Sequence, residues 1–217
     1  PYYIYSNQFE HYRNRRLNDR LTTMQNIEPE DLMNLQNDNF NYIASEILPY
    51  LLSQLDTVSH DEDQKKFFNE LKYWDYFNHP NIKAPSHFEL WSDILWEALW
   101  DEFDTMSFAV NKPDIYTTSQ LIISDGINDF SDRLITPLVE TPNNLINYSF
   151  NTAVDSLNQW LIDNGNDYSW SEFKGTEINH LISSFSSFNS KNIPIGGNHN
   201  IVNAASKHHG PSWRMVV

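Results

Sequence analysis

Three histidines close to the end of the chain, His199, His208 and His209, are the residues whose type first suggests chemistry. Their spacing fits no zinc-protease or zinc-finger arrangement, and the sequence around them is rich in Asn and Gly. They are expected as surface histidines. Asp61-Glu62-Asp63 and the acidic residues from Asp125 to Asp132 lack the ligand order of a calcium loop, so they read as solvated faces. Trp91, Trp96 and Trp100 could offer a stacking surface for sugars or bases, but helical spacing favours core packing. Arg13, Arg16 and Arg20 recur every three or four residues and give a helix a basic face. Arg15 and Arg16 are expected as solvated arginines. Pro1 carries an amine of a kind that is catalytic in some enzymes, and no partner motif accompanies it. The absence of cysteine removes disulfides, thiolate metal sites and cysteine nucleophiles.

Helices must position most of these groups. A basic helix is expected over 8–21, with Leu17 and Leu21 on its apolar side. Pro29 suits an early helical position, and Glu30 and Asp31 favour a helix N-terminus. Ile43, Ile47, Leu51 and Leu55 form an i, i+4 stripe, which Pro49 is expected to kink or divide. The charged run His60–Asp63 leads into a helix bearing Phe67, Leu71 and Trp74. Ser86 and Glu89 read as a capping box opening a helix over 87–104. Residues 117–135 read as helical, interrupted at Gly126. Thr141-Pro142 starts a long helix, which Asn164-Gly165 ends by left-handed geometry. Thereafter helical period is lost. Trp213, Met215 and Val217 alternate with smaller or polar residues, as in a strand. The fold class is therefore mainly α: a helical body over 1–165 and an irregular, β-containing tail over 166–217. The apolar end of the sequence, in mid-strand, suggests a piece of something longer.

Composition narrows the partners. Lys and Arg number 14 against 29 Asp and Glu, a formal net charge of −15. Phosphate backbones and anionic membrane surfaces both call for clustered cations, so neither nucleic acid nor membrane is expected. No apolar run approaches the ~18 residues needed to span a bilayer, and no signal peptide is visible. Aromatic residues make up 14% of the chain, so an aromatic-rich core is expected.

The tail carries a resemblance. Gly196-Gly197, then Ile201-Val202-Asn203-Ala204-Ala205-Ser206, then His209-Gly210-Pro211-Ser212-Trp213-Arg214-Met215-Val216-Val217 resembles the late β-chain of the penicillin amidase family of N-terminal-nucleophile (Ntn) hydrolases. The head agrees in order: Tyr12-Arg13 through Arg16-Leu17, then Leu35-Gln36-Asn37-Asp38, Leu48-Pro49-Tyr50-Leu51-Leu52, Trp74-Asp75, and the run from Trp170 through His180 to Leu181. The resemblance implies a larger αββα enzyme that hydrolyses a linear amide: a penicillin, a related β-lactam amide or an acyl-homoserine lactone. Its nucleophile would be a Ser whose own α-amine acts as base. In the family this Ser and the oxyanion Asn precede the matched region, so the isolated chain is expected to be inactive and mainly scaffold.

The family also has an arginine in the Tyr12-Arg13 segment, close to the active site, which makes Arg13 the candidate for active-site support. Members often bind structural calcium, and Asn7 lies where a ligand Asp is expected; no cofactor is expected in this chain. His180 matches a family histidine, with a structural role. The implied partners are the α-chain and the N-terminal part of the β-chain, with self-association possible through the terminal strand. The implied location is the periplasm or, more broadly, outside the cytoplasm after export. The alternative reading is a stand-alone acidic helical module that binds another protein.

Overall fold

The computed structural model describes residues 12–108, 110–124, 126–127, 130–137, 139–165, 167–211 and 214. Asn7 and the expected strand over 213–217, apart from Arg214, lie outside them. Nine α-helices occur among the described residues: α1 (Tyr12–Thr23), α2 (Pro29–Gln36), α3 (Tyr42–Ser53), α4 (Glu62–Lys72), α5 (Ala84–Leu99), α6 (Asp101–Asp104), α7 (Ile115–Ile123), α8 (Pro142–Asn164) and α9 (Trp170–Lys174). None is long and apolar enough to cross a membrane.

The body is built on α5 against α8. Each presents an apolar stripe: Phe88, Trp91, Leu95 and Leu99 from α5, and Ile146, Phe150, Ala153 and Leu157 from α8, all buried. Trp91 is fully enclosed, and its indole N–H donates to Ser149 Oγ at 3.0 Å, which removes the cost of burying that polar group. Helix α4 packs on both and α3 packs on α4, so that Ile47, Leu51, Phe67 and Leu71 join the same core. His87, 1% exposed, stacks on Phe67 at 3.7 Å between ring centroids. Its burial, with Lys66 and Lys83 close by, pushes the imidazole down to about 3, so it is neutral in the core at neutral pH.

Local signals set the ends of the helices. Asp61 caps α4 by accepting from the Gln64 amide at 2.8 Å. Thr141 and Asn144 form a reciprocal box at the start of α8, with Pro142 beside it. Gly165, at φ 64°, ends the helix in left-handed geometry. Asp31 reaches back to Glu28 at the start of α2.

Four expectations change. Pro49 does not divide α3, which runs from Tyr42 to Ser53 with the proline inside it. The proline sits near the helix end on an exposed face, where the carbonyl it leaves unbonded can meet water. The helix expected over 87–104 starts earlier and breaks at Trp100, whose ψ of 29° separates α5 from α6. The helix expected over 117–135 is shorter: α7 ends at Ile123. Ser86 and Glu89 do not form a cap. Ser86 lies inside the first turn of α5 and donates to the Tyr168 carbonyl at 2.8 Å, and Glu89 points elsewhere.

The tail is irregular, as expected. Among its described residues β pairing is confined to one isolated bridge, Ile178 to Ser190.

Candidate functional site

The resemblance rests on short motifs at opposite ends of the sequence, and the fold brings them to one seam. The loop after α2 and the loop before α5 first pair with each other. The Asn41 amide donates to the Tyr76 carbonyl at 2.7 Å, and the Asn78 amide donates to the Asn39 carbonyl at 2.8 Å. The tail then crosses both loops: the Gly197 amide donates to the Asn78 carbonyl at 2.9 Å, and the Asn203 amide to the Asp38 carbonyl at 3.0 Å.

Both glycines are required by this close approach. A Cβ on Gly196 would lie 2.5 Å from the Asn78 carbonyl oxygen. Gly197 has φ 72°, and a Cβ there would lie 2.0 Å from the Asn203 carbonyl oxygen. Their own carbonyls face inward. Lys174 Nζ donates to Gly196 O at 2.8 Å and to Gly197 O at 3.2 Å, while the Trp170 indole donates to Gly197 O at 2.8 Å.

Glu89 is the acid of the seam. Asn41 Nδ2 donates to its Oε1 at 2.9 Å and Asn78 Nδ2 at 3.3 Å, and the Asn198 side chain also bonds to it. The residue keeps some surface, but its carboxylate is enclosed by these amides. Burial pushes Glu89 up to about 7; Asn198, Asn78 and Asn41 hold it lower than burial alone would, and Asp93 adds to the rise. Burial likewise brings Lys174 down to about 8, opposed by the nearby charge of Glu89. Both groups are thus poised to change charge near neutral pH. Their contacts are amides and backbone carbonyls, so the arrangement clamps the glycine turn and presents no attacking atom.

The outer edge of the seam is cationic. Arg16 donates to Asp38 Oδ2 at 2.7 and 3.0 Å and lies 4.2 Å from the centre of the Phe40 ring. Arg214 donates to the Gln36 carbonyl at 2.7 Å and to the Asn37 and Asn203 side chains. Arg15 pairs with Glu46. Neither Arg15 nor Arg16 is therefore the solvated arginine expected from the sequence. The acidic residues they meet, Glu46 and Asp38, lie on α3 and in the loop after α2, too distant in sequence for helical spacing to reveal.

Arg13 is exposed on α1. Its charge reaches His199, whose pKa falls through burial first and then through Arg13 and His209. His199 still has an exposed face, so this crowding is partial. His199, His208 and His209 are all exposed, and no metal-holding cluster exists among the described residues. His180 is exposed as well; its Nδ1 accepts from the Ile182 amide at 3.2 Å, and its ring packs on Phe185 and Phe188. Trp91 and Trp100 are core residues, whereas Trp96 is half-buried.

Glu89, Lys174, Asn41 and Asn78 were hidden at the sequence level. Asparagine is abundant along the whole chain, so no single one stands out, and Glu89 sits at the right distance from Ser86 to imitate a cap. Gly196-Gly197 and the motifs holding Asp38, Asn203 and Arg214 are the readable marks of the seam.

No curated protein matches the chain. The sequence model of the penicillin amidase family, however, matches residues 1–217. The head motif and the glycine turn that meet across the seam are thus parts of one family pattern spanning the whole chain, and the protein belongs to the penicillin amidase family.

Proposed function

We infer that this chain is a supporting part of a penicillin-acylase-type amidohydrolase whose nucleophilic Ser lies outside the 217 residues. The observation that carries this reading is the seam, where Asp38, itself bonded to Arg16, accepts from the Asn203 amide and where Arg214 donates to the Gln36 carbonyl. In such an enzyme the Ser hydroxyl attacks a linear amide, its α-amine takes the proton, and an oxyanion hole holds the tetrahedral intermediate. The substrate is a penicillin, a related β-lactam amide or an acyl-homoserine lactone. The chain's own contribution is to hold the helices and the glycine turn against the remainder of the enzyme, with Arg13 supporting the catalytic centre from α1.

The test is kinetic and uses the natural protein with its nucleophile. Arg13→Ala is expected to lower turnover or block maturation. Arg15→Ala removes a pair with Glu46 on the body and is expected to do neither. Residues two apart on a helix diverge by ~200°, so the two variants probe different directions. Equal and negligible effects would make Arg13 a surface arginine. Absence of amide hydrolysis in the natural protein would overturn the enzymatic reading altogether.

A further inference from the structure

The tail holds one loop whose apolar side chains face outward. It departs at Ile178 and returns at Ser190, and its base is tied shut. The Ile178 amide donates to the Ser190 carbonyl at 2.8 Å, and the Ser190 amide to the Ile178 carbonyl at 3.0 Å. One step further out, Asn189 Nδ2 donates to Asn179 Oδ1 at 2.7 Å, and the His180 amide donates to Asn189 Oδ1 at 2.8 Å. Beneath the base, Thr176 is buried and its hydroxyl donates to the Ser206 carbonyl at 2.9 Å, so the loop stands on anchored backbone. Short 3₁₀ turns run over Ser183–Phe188, and the rings of His180, Phe185 and Phe188 pack on one another at 5.6 to 6.0 Å between centroids. The loop thus has a shape of its own.

Its outer surface has the composition of a contact. Leu181 is 100% exposed and Phe188 69%, and Ile178, Ile182 and Phe185 are each about half exposed. From Ile178 to Ser190 there is no Asp, Glu, Lys or Arg, in a chain where those types make up 20%. Five such side chains amount to an apolar patch on the order of 500 Å², at the upper end of what a free surface carries. Depletion of charge around aromatic and aliphatic side chains marks the core of an interface. A loop already tied at its base loses little entropy on docking.

Size and charge select the occupant. Separate chains need about 800 Å² from each partner for a stable complex. Two copies would also each bring a formal net charge of −15 to the contact, which disfavours self-association. Lipid surfaces are met by Trp, Lys or Arg beside the apolar residues, and the loop has none of these. A segment of the same polypeptide needs less area, because its effective concentration is high. We propose that the loop Ile178–Ser190 docks on an apolar, uncharged surface of the nucleophile-bearing part of the enzyme, outside the 217 residues. The identity of that part rests on the amidohydrolase reading.

Thiol labelling of the natural protein tests it. The 217 residues contain no cysteine, so Leu181→Cys and Phe188→Cys each add one thiol to them, at an exposed position. Each is expected to react with a maleimide at least about tenfold more slowly in the folded protein than in urea, read at the labelled peptide and corrected for the effect of urea on free cysteine. Protection should persist on dilution and without lipid. A photo-crosslinker attached at the Leu181→Cys thiol should capture a segment of the same polypeptide outside the 217 residues. Labelling as fast as in urea, protection that vanishes on dilution (a second copy), protection that requires phosphatidylcholine vesicles (a lipid surface), or capture within the 217 residues would each overturn the proposal. Amide hydrolysis measured on the same preparations keeps the two readings separable. A freely labelled loop in an active enzyme sinks the docking alone, and a protected loop in an inactive protein sinks the amidohydrolase alone.

Discussion

The α5–α8 interface and the seam are held by opposite means. The interface is apolar, regular in period and closed around Trp91, whose indole is answered locally by Ser149. The seam is made of amides, two glycines and a few charges, and its bonds join residues far apart in sequence. An apolar interface tolerates rearrangement by repacking, at the cost of cavities. A polar seam at close backbone approach does not, because its hydrogen bonds are directional and each of its two glycine positions excludes a side chain.

The largest effect expected separates the two regions directly. Trp91→Ala should cost about 3–5 kcal/mol of global stability, read as an earlier urea midpoint for the whole chain. Gly197→Ala, which forces a Cβ into the Asn203 carbonyl, should cost about 1–3 kcal/mol and loosen the tail before the helices, read as early hydrogen exchange at the Asn203 amide. Equal exchange throughout the chain in Gly197→Ala would erase the distinction between the regions.

Acid sharpens the comparison further, because the two regions respond with opposite sign. Glu89 has a folded pKa of about 7, above its ordinary 4.5, so the folded state binds more protons between those values. Its contribution is present below about 4.5 and is lost as pH rises through about 7. His87 is held at about 3, below its ordinary 6.5, so the unfolded state binds more protons in that window. Its contribution is present above about 6.5 and is lost as pH falls through about 3. Glu89→Gln should therefore remove a component that falls with rising pH, and His87→Phe one that rises with it. Denaturant midpoints across this pH range check both; a pH profile unchanged by either substitution would refute the assignment. The smallest effect expected is at the end of α8, where Gly165→Ala should cost about 1 kcal/mol through its left-handed angle alone, with open space around the new methyl group.

The sequence disclosed the first region far better than the second. Ile43, Ile47 and Leu51 on α3, and Ile146, Phe150, Ala153 and Leu157 on α8, announce their burial by period, and Asp61, Thr141 and Gly165 mark helix ends through local chemistry. Such signals lie within a few residues of the group they explain. Glu89 shows the limit. Its distance from Ser86 satisfies a local rule, but its hydrogen-bond partners lie on the loops before α3 and α5 and in the tail, and tertiary amides won the carboxylate over the helix terminus. Pro49 shows another: a proline breaks a helix in general, yet near an exposed end the loss is small enough for packing of Ile47, Leu48 and Leu51 to override. Arg16 reads as solvated from the sequence because its partner Asp38 lies 22 residues away, beyond α2.

The reach of the seam also bears on the order of assembly. Asn203 donates to Asn39 across 164 residues, and Arg214 donates to Gln36 across 178. The bonds that set α3, α4 and α8 span a turn or two, so they close with little loss of chain entropy, whereas the seam must close a loop of nearly the whole chain. The helices consequently come first and the glycine turn docks onto a surface already in place. In a refolding experiment, burial of Trp91 should precede protection of the Asn203 amide.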